Sequence, residues 1–192
     1  MRKIDETKRD AIVKAVFQIT FDESITNLSI AKIAKKVGVS KATMYVYYDD
    51  KTDMLSKIFL NVKQLMDDGL DKKLSVDATF KQRVRLAVEH FANKFIEYPY
   101  EANFMWAILA NPKLVNDGVV EKSQQMVKSL YDLFAEGVEN DYWITNDMEI
   151  LVSIMFSPIK QITETYFRKE QSVPQDKMKE LIDILIKTDV VE

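Results

Sequence analysis

"LSIAKIAKKVGVSKATMYVYYDDKTDML", residues 28–55, is the stretch whose reading decides the fold. At its centre, Tyr45-Val46-Tyr47-Tyr48 has the aromatic and β-branched composition of a strand. The flanks say otherwise. Ile30, Ile33, Ala34 and Val37 recur at helical spacing, with Lys32, Lys35 and Lys36 mostly outside that face. Gly38 reads as the stop of this helix and Ser40 as the cap of the next. Two short helices joined by a tight turn containing Gly describe a helix-turn-helix. Ala34 is small enough for a close helix approach, and Gly38 can take the left-handed conformation the turn requires. Val39 and Met44 are expected to pack inward against Ile33 and Val37. A strand over 45–48 would leave the periodic flanks and the Ser40 cap without a purpose, so the second helix is expected over 41–47.

Composition supports an all-α chain. Among 192 residues there are only four glycines and four prolines, fewer than the many tight turns of an all-β fold require. There is no cysteine, which excludes disulfides, thiolate metal sites and cysteine nucleophiles. "MRKIDETKRD" (1–10) lacks the apolar core of a signal peptide. The longest apolar runs, such as "FMWAILA" (104–110), fall well short of the ~18–20 residues of a membrane span. A cytoplasmic protein with no membrane partner is expected. Charge is unevenly placed: residues 1–51 hold 10 Lys/Arg against 7 Asp/Glu (+3), and residues 52–192 hold 17 against 23 (−6), which sum to the −3 of the chain. A basic head on an acidic body points to a polyanion as partner of the head.

Periodicity predicts about nine helices: one over 6–21, the pair at 28–37 and 41–47, then 51–67, 80–97, 100–110, 115–140, 147–169 and 175–188. Asp49 or Asp50 can cap the fourth. Pro158 inside the eighth predicts a kink. Domain boundaries are expected to place a helix-turn-helix DNA-binding domain at 1–50 and a ligand-binding and dimerisation domain at 51–192. The helix from about 51 to 67 would connect them.

In DNA-binding helix-turn-helices the second helix enters the major groove and its early residues face base edges. Lys41, Ala42 and Thr43 hold those positions. Lysine can donate to guanine O6/N7, Thr can donate or accept, and a small apolar group can touch a thymine methyl. Tyr45 and Tyr47 can reach phosphate oxygens, which position without reading sequence. Lys51 opens the next helix and adds a charge beside a helix N-terminus, a setting that favours phosphate. Tyr48 is expected to pack back into the head.

The same stretch resembles the TetR family of bacterial regulators. That family shows Ile-Ala, Gly-Val-Ser, a small residue, Thr, an apolar residue, Tyr-x-Tyr-aromatic and Lys-x-x-Leu; here the pattern ends in Lys51 and Leu55. The match is specific over about 30 residues, and with the first helix it covers roughly the first third of the chain. The resemblance implies a homodimeric repressor whose three N-terminal helices bind a palindromic operator and whose body holds an effector pocket and the dimer interface. By position it implies Lys41, Ala42, Thr43 and Val46 as base-facing residues and Tyr45, Tyr47 and Lys51 as phosphate contacts, supported by Ser29. Some members place a base-contacting Arg early in the second helix of the head. Ile30 and Ala31 stand there in this chain, so that contact is expected to be absent, with Lys32 contributing charge only. The helices at 147–169 and 175–188 resemble the pair that forms a four-helix bundle across the dimer axis.

The body is rich in large apolar side chains. Phe91, Phe95, Phe104, Met105, Trp106, Trp143 and Met155 are candidates to line an apolar effector pocket, with ordinary core as the competing reading for each. His90, the only histidine, has no metal or triad partner nearby in sequence and reads as a core or surface residue. No cofactor is expected. There is no Gly-rich phosphate loop, no HExxH and no second His, so the chain is not expected to be an enzyme. A helical protein-binding adaptor without DNA binding remains the alternative, supported by the net acidic charge.

Overall fold

The computed structural model describes residues 5–74 and 77–191, and over these the chain is all-α. Eleven α-helices are present among them: α1 (Glu6–Glu23), α2 (Ile30–Val37), α3 (Lys41–Tyr47), α4 (Lys51–Asp67), α5 (Leu70–Leu74), α6 (Phe80–Glu97), α7 (Pro99–Leu109), α8 (Val119–Met126), α9 (Lys128–Glu139), α10 (Met148–Arg168) and α11 (Gln175–Asp189). Two short 3-10 turns lie at Ile25–Asn27 and Pro112–Leu114. The expected nine helices become eleven for two reasons. The short α5 follows Gly69, which has a φ of 87°. The expected helix over 115–140 is interrupted at Val127, whose φ of −112° and ψ of 42° leave the helical region, so it forms α8 and α9. α10 continues through Pro158.

The chain forms two compact units, Met1–Leu65 with Tyr100–Ser123, and Met66–Pro99 with Gln124–Glu192. In the first, local capping sets the helix ends. The Asp5 side chain accepts the Lys8 N–H at 3.3 Å, Ser29 Oγ that of Lys32 at 3.2 Å and Ser40 Oγ that of Thr43 at 3.1 Å. Gly38 has a φ of 76°, and across it the N–H groups of Gly38 and Val39 reach the carbonyls of Lys35 and Ala34. These bonds satisfy carbonyls that the end of α2 would otherwise leave open. Ile12, Val16, Phe17, Ile33, Ala34 and Met44 are buried in this unit. α7 contributes Phe104, whose ring centroid lies 5.3 Å from that of Phe17 on α1.

In the second unit α6 packs against α5, α9, α10 and α11. Thr79 and Gln82 start it with a reciprocal capping box. Its buried face carries Val84, Ala87, Val88, His90, Phe91 and Phe95. Arg83 pairs with Glu136 on α9, and Arg85 with Asp183 on α11 at 2.7 Å. Trp143 fills the space beside α9 and donates its indole N–H to the Phe134 carbonyl at 3.0 Å. It also forms an antiparallel bridge to Val190, and no named strand exists among the described residues.

His90 lies in the core, 2% exposed, with Nε2 2.8 Å from the Met66 carbonyl in the last turn of α4. That carbonyl is one of those a helix end leaves without an intrahelical donor, so the neutral ring donates where a donor is missing. Burial holds the imidazole below its ordinary value of 6.5. The unfolded chain therefore binds a proton that the folded chain resists, and stability must fall as pH drops below about 6.5. A thermal melt series from pH 7.5 to 5.5 should show this loss, and His90→Gln should flatten it. Gly137 supplies a second check. A Cβ there would overlap the Trp143 indole and the Phe80 ring. Gly137→Ala should cost about 1–3 kcal/mol by overpacking, read by denaturant unfolding.

Candidate nucleic-acid interface

The short α3 sorts its side chains by burial. Met44 and, just past the helix, Tyr48 face the core, whereas Lys41, Ala42, Tyr45 and Val46 are exposed. Tyr45 is 56% exposed and Val46 44%, large values for apolar side chains on a well-packed unit. α3 is therefore helical despite its strand-like composition: a strand over the same residues would put Val46 on the face of the buried Met44 and Tyr48, whereas the helix turns Val46 outward. Thr43 is half-buried, and its Oγ1 lies 2.9 Å from Ser40 Oγ, so the cap already occupies part of its hydrogen-bonding capacity.

Tyr45 and Tyr47 have different surroundings. The Tyr47 hydroxyl donates to the Asp5 carbonyl at 3.3 Å, which ties the end of α3 to the start of α1. A phenol that donates there can still accept, but its position is set from inside the protein. Tyr45 has no such tether among the described residues and points outward. Tyr48 packs inside as expected, where burial raises its phenol above the ordinary value. Lys51 sits half-buried at the first residue of α4, and burial pulls its ammonium below the usual lysine value. Ser29 is exposed, with its hydroxyl used as the α2 cap. Lys32 pairs with Glu23 at 2.7 Å. Lys35 and Lys36 are exposed in the last turn of α2.

The junction from α3 to α4 uses Asp50, one of the two expected caps, together with Asp53 and Lys57, to which the sequence reading gave no role. Asp50 Oδ1 accepts the Asp53 N–H at 2.8 Å, and Asp53 Oδ2 accepts the Asp49 N–H at 3.0 Å. Lys57 pairs with Asp53 at 2.8 Å and lies over the Tyr48 ring, 5.9 Å from its centroid. The spacing Asp50-x-x-Asp53 was the available signal: an acid at the cap able to reach the N–H three residues on, and an acid there able to reach back to the N–H groups before the helix.

The seven effector-pocket candidates are distributed over both units. Phe104, Met105 and Trp106 belong to the first unit; Phe91, Phe95, Trp143 and Met155 belong to the second. In the second, Phe91 meets Phe156 edge-on at 5.3 Å. A surface groove of about 240 Å³ along α6 and α11 is lined by Glu89, Asn93, Ile96, Met178 and neighbours, and none of the seven borders it.

Residues 12–58 match the model for "Bacterial regulatory proteins, tetR family". The fatty acid metabolism regulator protein of Bacillus subtilis (strain 168) is 26% identical over 82 residues, 42% of this chain and 42% of that protein. An HTH-type transcriptional regulator of Staphylococcus aureus (strain MRSA252) is 29% identical over 100 residues, 48% of this chain and 54% of that protein. The matched stretches thus span about half the length of these relatives. A crystal structure of a TetR family transcription regulator from Marinobacter aquaeolei VT8 shares the fold, with a TM-score of 0.81 at 19% identity and 99% of each chain covered. The fatty acid degradation regulator of Bacillus halodurans does so with a TM-score of 0.66 at 18% identity, over 96% of this chain and 97% of that one. Residues 12–58 thus match the head of the tetR family of regulatory proteins, and the chain shares its fold along its length with solved TetR-family structures.

The exposed face of α3 generates a specific expectation. Tyr45→Phe combined with Lys51→Ala should weaken duplex binding uniformly across sequences, and the log-log salt slope should become shallower by about 1. Lys41→Ala and Thr43→Ala should instead change sequence preference, by about 1–3 kcal/mol at the contacted base pair. Titration of two unrelated duplexes over a salt series separates the two classes.

Proposed function

We propose that the protein is a ligand-responsive repressor that binds a palindromic operator as a homodimer and releases it when a small molecule occupies the C-terminal body. The observation that carries this reading is the exposed face of α3, where Lys41, Ala42, Tyr45 and Val46 stand outside a packed head on a capped helix. Lys41, Ala42, Thr43 and Val46 read bases. Tyr45 and Lys51 hold phosphates, with Tyr47 and Ser29 in support. A phosphate beside Lys51 restores to its ammonium the stabilisation that burial removes. The DNA-binding domain is residues 1–50, and 51–192 serve ligand binding and dimerisation.

Dimerisation runs through the helices over 147–169 and 175–188. On them Ile150 and Ile184 are 49% and 54% exposed, apolar surface that an isologous contact would bury. The pocket draws on the apolar side chains of the body, including Phe91, Phe95 and Met155, and the effector is a small molecule of unassigned identity. No helix of the described residues is long and apolar enough to cross a membrane, and we place the protein in the cytoplasm, without enzymatic activity.

Control follows from linkage. Two recognition helices reach successive major grooves of one operator only when they stand about 34–36 Å apart. An effector that favours another spacing lowers DNA affinity by its differential binding energy, typically ~1–3 kcal/mol, and a near-complete switch needs about 5.5 kcal/mol. α4 carries the change, because it begins at the recognition helix and its last turn ends in the second unit.

Selection from a randomised duplex library tests the reading. A two-fold symmetric site with half-sites one helical turn apart, bound by a particle of two chains, is the expected result. Binding that shows no duplex preference and no salt dependence would instead favour the protein-binding adaptor.

A further inference from the structure

Ser56 is a polar side chain in the core of the first unit, only 4% exposed. Its hydroxyl is used twice. It donates to the Thr52 carbonyl one turn back on α4, at 2.7 Å, and accepts the backbone N–H of Asn116 at 2.9 Å. Asn116 lies in the turn between α7 and α8, after the buried Val115 and before Gly118, which has a φ of 76°. The first bond fixes where the hydroxyl points, and the second fixes the turn against it.

The same part of α4 holds the recognition helix. Asp53, three residues before Ser56, accepts the Asp49 N–H, and Lys57, the next residue, pairs with Asp53 and covers the Tyr48 ring. Residues 53, 56 and 57 are helical neighbours. One turn of α4 therefore grips the end of α3 through Asp53 and Lys57 and the α7–α8 turn through Ser56. An apolar contact tolerates sliding, whereas a hydrogen bond weakens steeply with distance and angle. The Ser56 bond is thus a register mark between α4 and the α7–α8 turn.

We propose that Ser56 is a positioning residue for operator recognition: its bond to Asn116 sets α4, and with it the presentation of α3, and makes the turn at 111–118 an input through which the rest of the chain biases the head. This rests on the reading of the protein as a DNA-binding regulator. Operator binding by a dimer requires both recognition helices in register with the grooves, so an unset head is penalised there. Non-specific binding depends on phosphate charge and tolerates it.

Ser56→Ala removes the acceptor. Because Asn116 is itself exposed, water can replace the lost partner, so the variant is expected to fold. Asn116→Pro removes the donor instead; Val115 already has a φ of −115° and a ψ of 164°, the extended conformation that a following proline favours. Each variant is titrated with the duplex selected by the wild-type protein and with an unrelated duplex, alongside a thermal melt. Amide hydrogen exchange of Asn116 is followed in Ser56→Ala. The expected result is a loss of about tenfold in affinity for the selected duplex, unchanged non-specific affinity and salt slope, and lost protection at Asn116. Ser56→Thr, which keeps the hydroxyl, should restore the affinity. Equal discrimination by wild type and Ser56→Ala overturns the proposal while leaving the regulator reading intact. A parallel fall in both affinities with the melting temperature also overturns it, because Ser56 is then merely structural. A folded Ser56→Thr that fails to restore affinity does the same. A wild type without duplex preference overturns the regulator reading, and this proposal with it.

Discussion

Met44 and Tyr48 stand four residues apart at the end of the helix-turn-helix, and both are buried. That constraint organises the head. Side chains at this spacing share one face of a helix, so burying them against the rest of the head obliges Ala42 and Val46 to face away, while Lys41 is exposed as the first residue of α3. The strand propensity of Tyr-Val-Tyr is overruled because a strand would bring Val46 onto the face of Met44 and Tyr48, and Val46 is exposed. The turn before α3 makes the constraint reachable. Gly38 takes a left-handed conformation that closes α2, and Ser40 opens α3 two residues later. With so few residues between the helices, the recognition helix has little freedom in its orientation.

Three tyrosines within four residues consequently serve three purposes. Tyr48 is core and carries Lys57 over its ring. Tyr47 ties the end of α3 to the start of α1 through the Asp5 carbonyl. Tyr45 faces outward. Their identical chemistry gives no means of telling them apart; helical phase and the position of α1 do. The Tyr47 tether also joins positions 42 residues apart in the chain, a separation no local pattern reports.

Much of the fold was legible because helical periodicity is a local property. The apolar stripe of α6 and the cap Ser40 are where the spacing and side-chain chemistry place them, whereas the helix expected from residue 28 starts at Ile30, with Ser29 as its cap. The helix count was less legible. Residues 115–140 carry an almost unbroken periodicity, yet Val127 leaves the helical region, and the short α5 lacks the length for a periodic signature. In the head, the exposure of Lys41, Ala42, Tyr45 and Val46 and the burial of Tyr48 match the sequence reading. The effector-pocket candidates were not legible, because large apolar residues form cores and pockets alike. Trp143 illustrates this: its N–H is spent on the Phe134 carbonyl, and its ring occupies the space that Gly137 leaves free.

The sequence by itself determined the helical class, the helix-turn-helix with its left-handed glycine, and the composition of the exposed face of α3. Each depends on residues within a few positions of one another, where backbone sterics and capping act. Tertiary structure alone decided which polar groups hold distant segments in place. Ser56 on Asn116, Tyr47 on Asp5 and His90 on Met66 each use an ordinary side chain to satisfy a backbone group far along the chain. Backbone N–H and C=O groups are the same at every residue, so no sequence pattern marks the one that will be met. Only the packed chain, by bringing a donor and an acceptor within 3.3 Å, makes that selection.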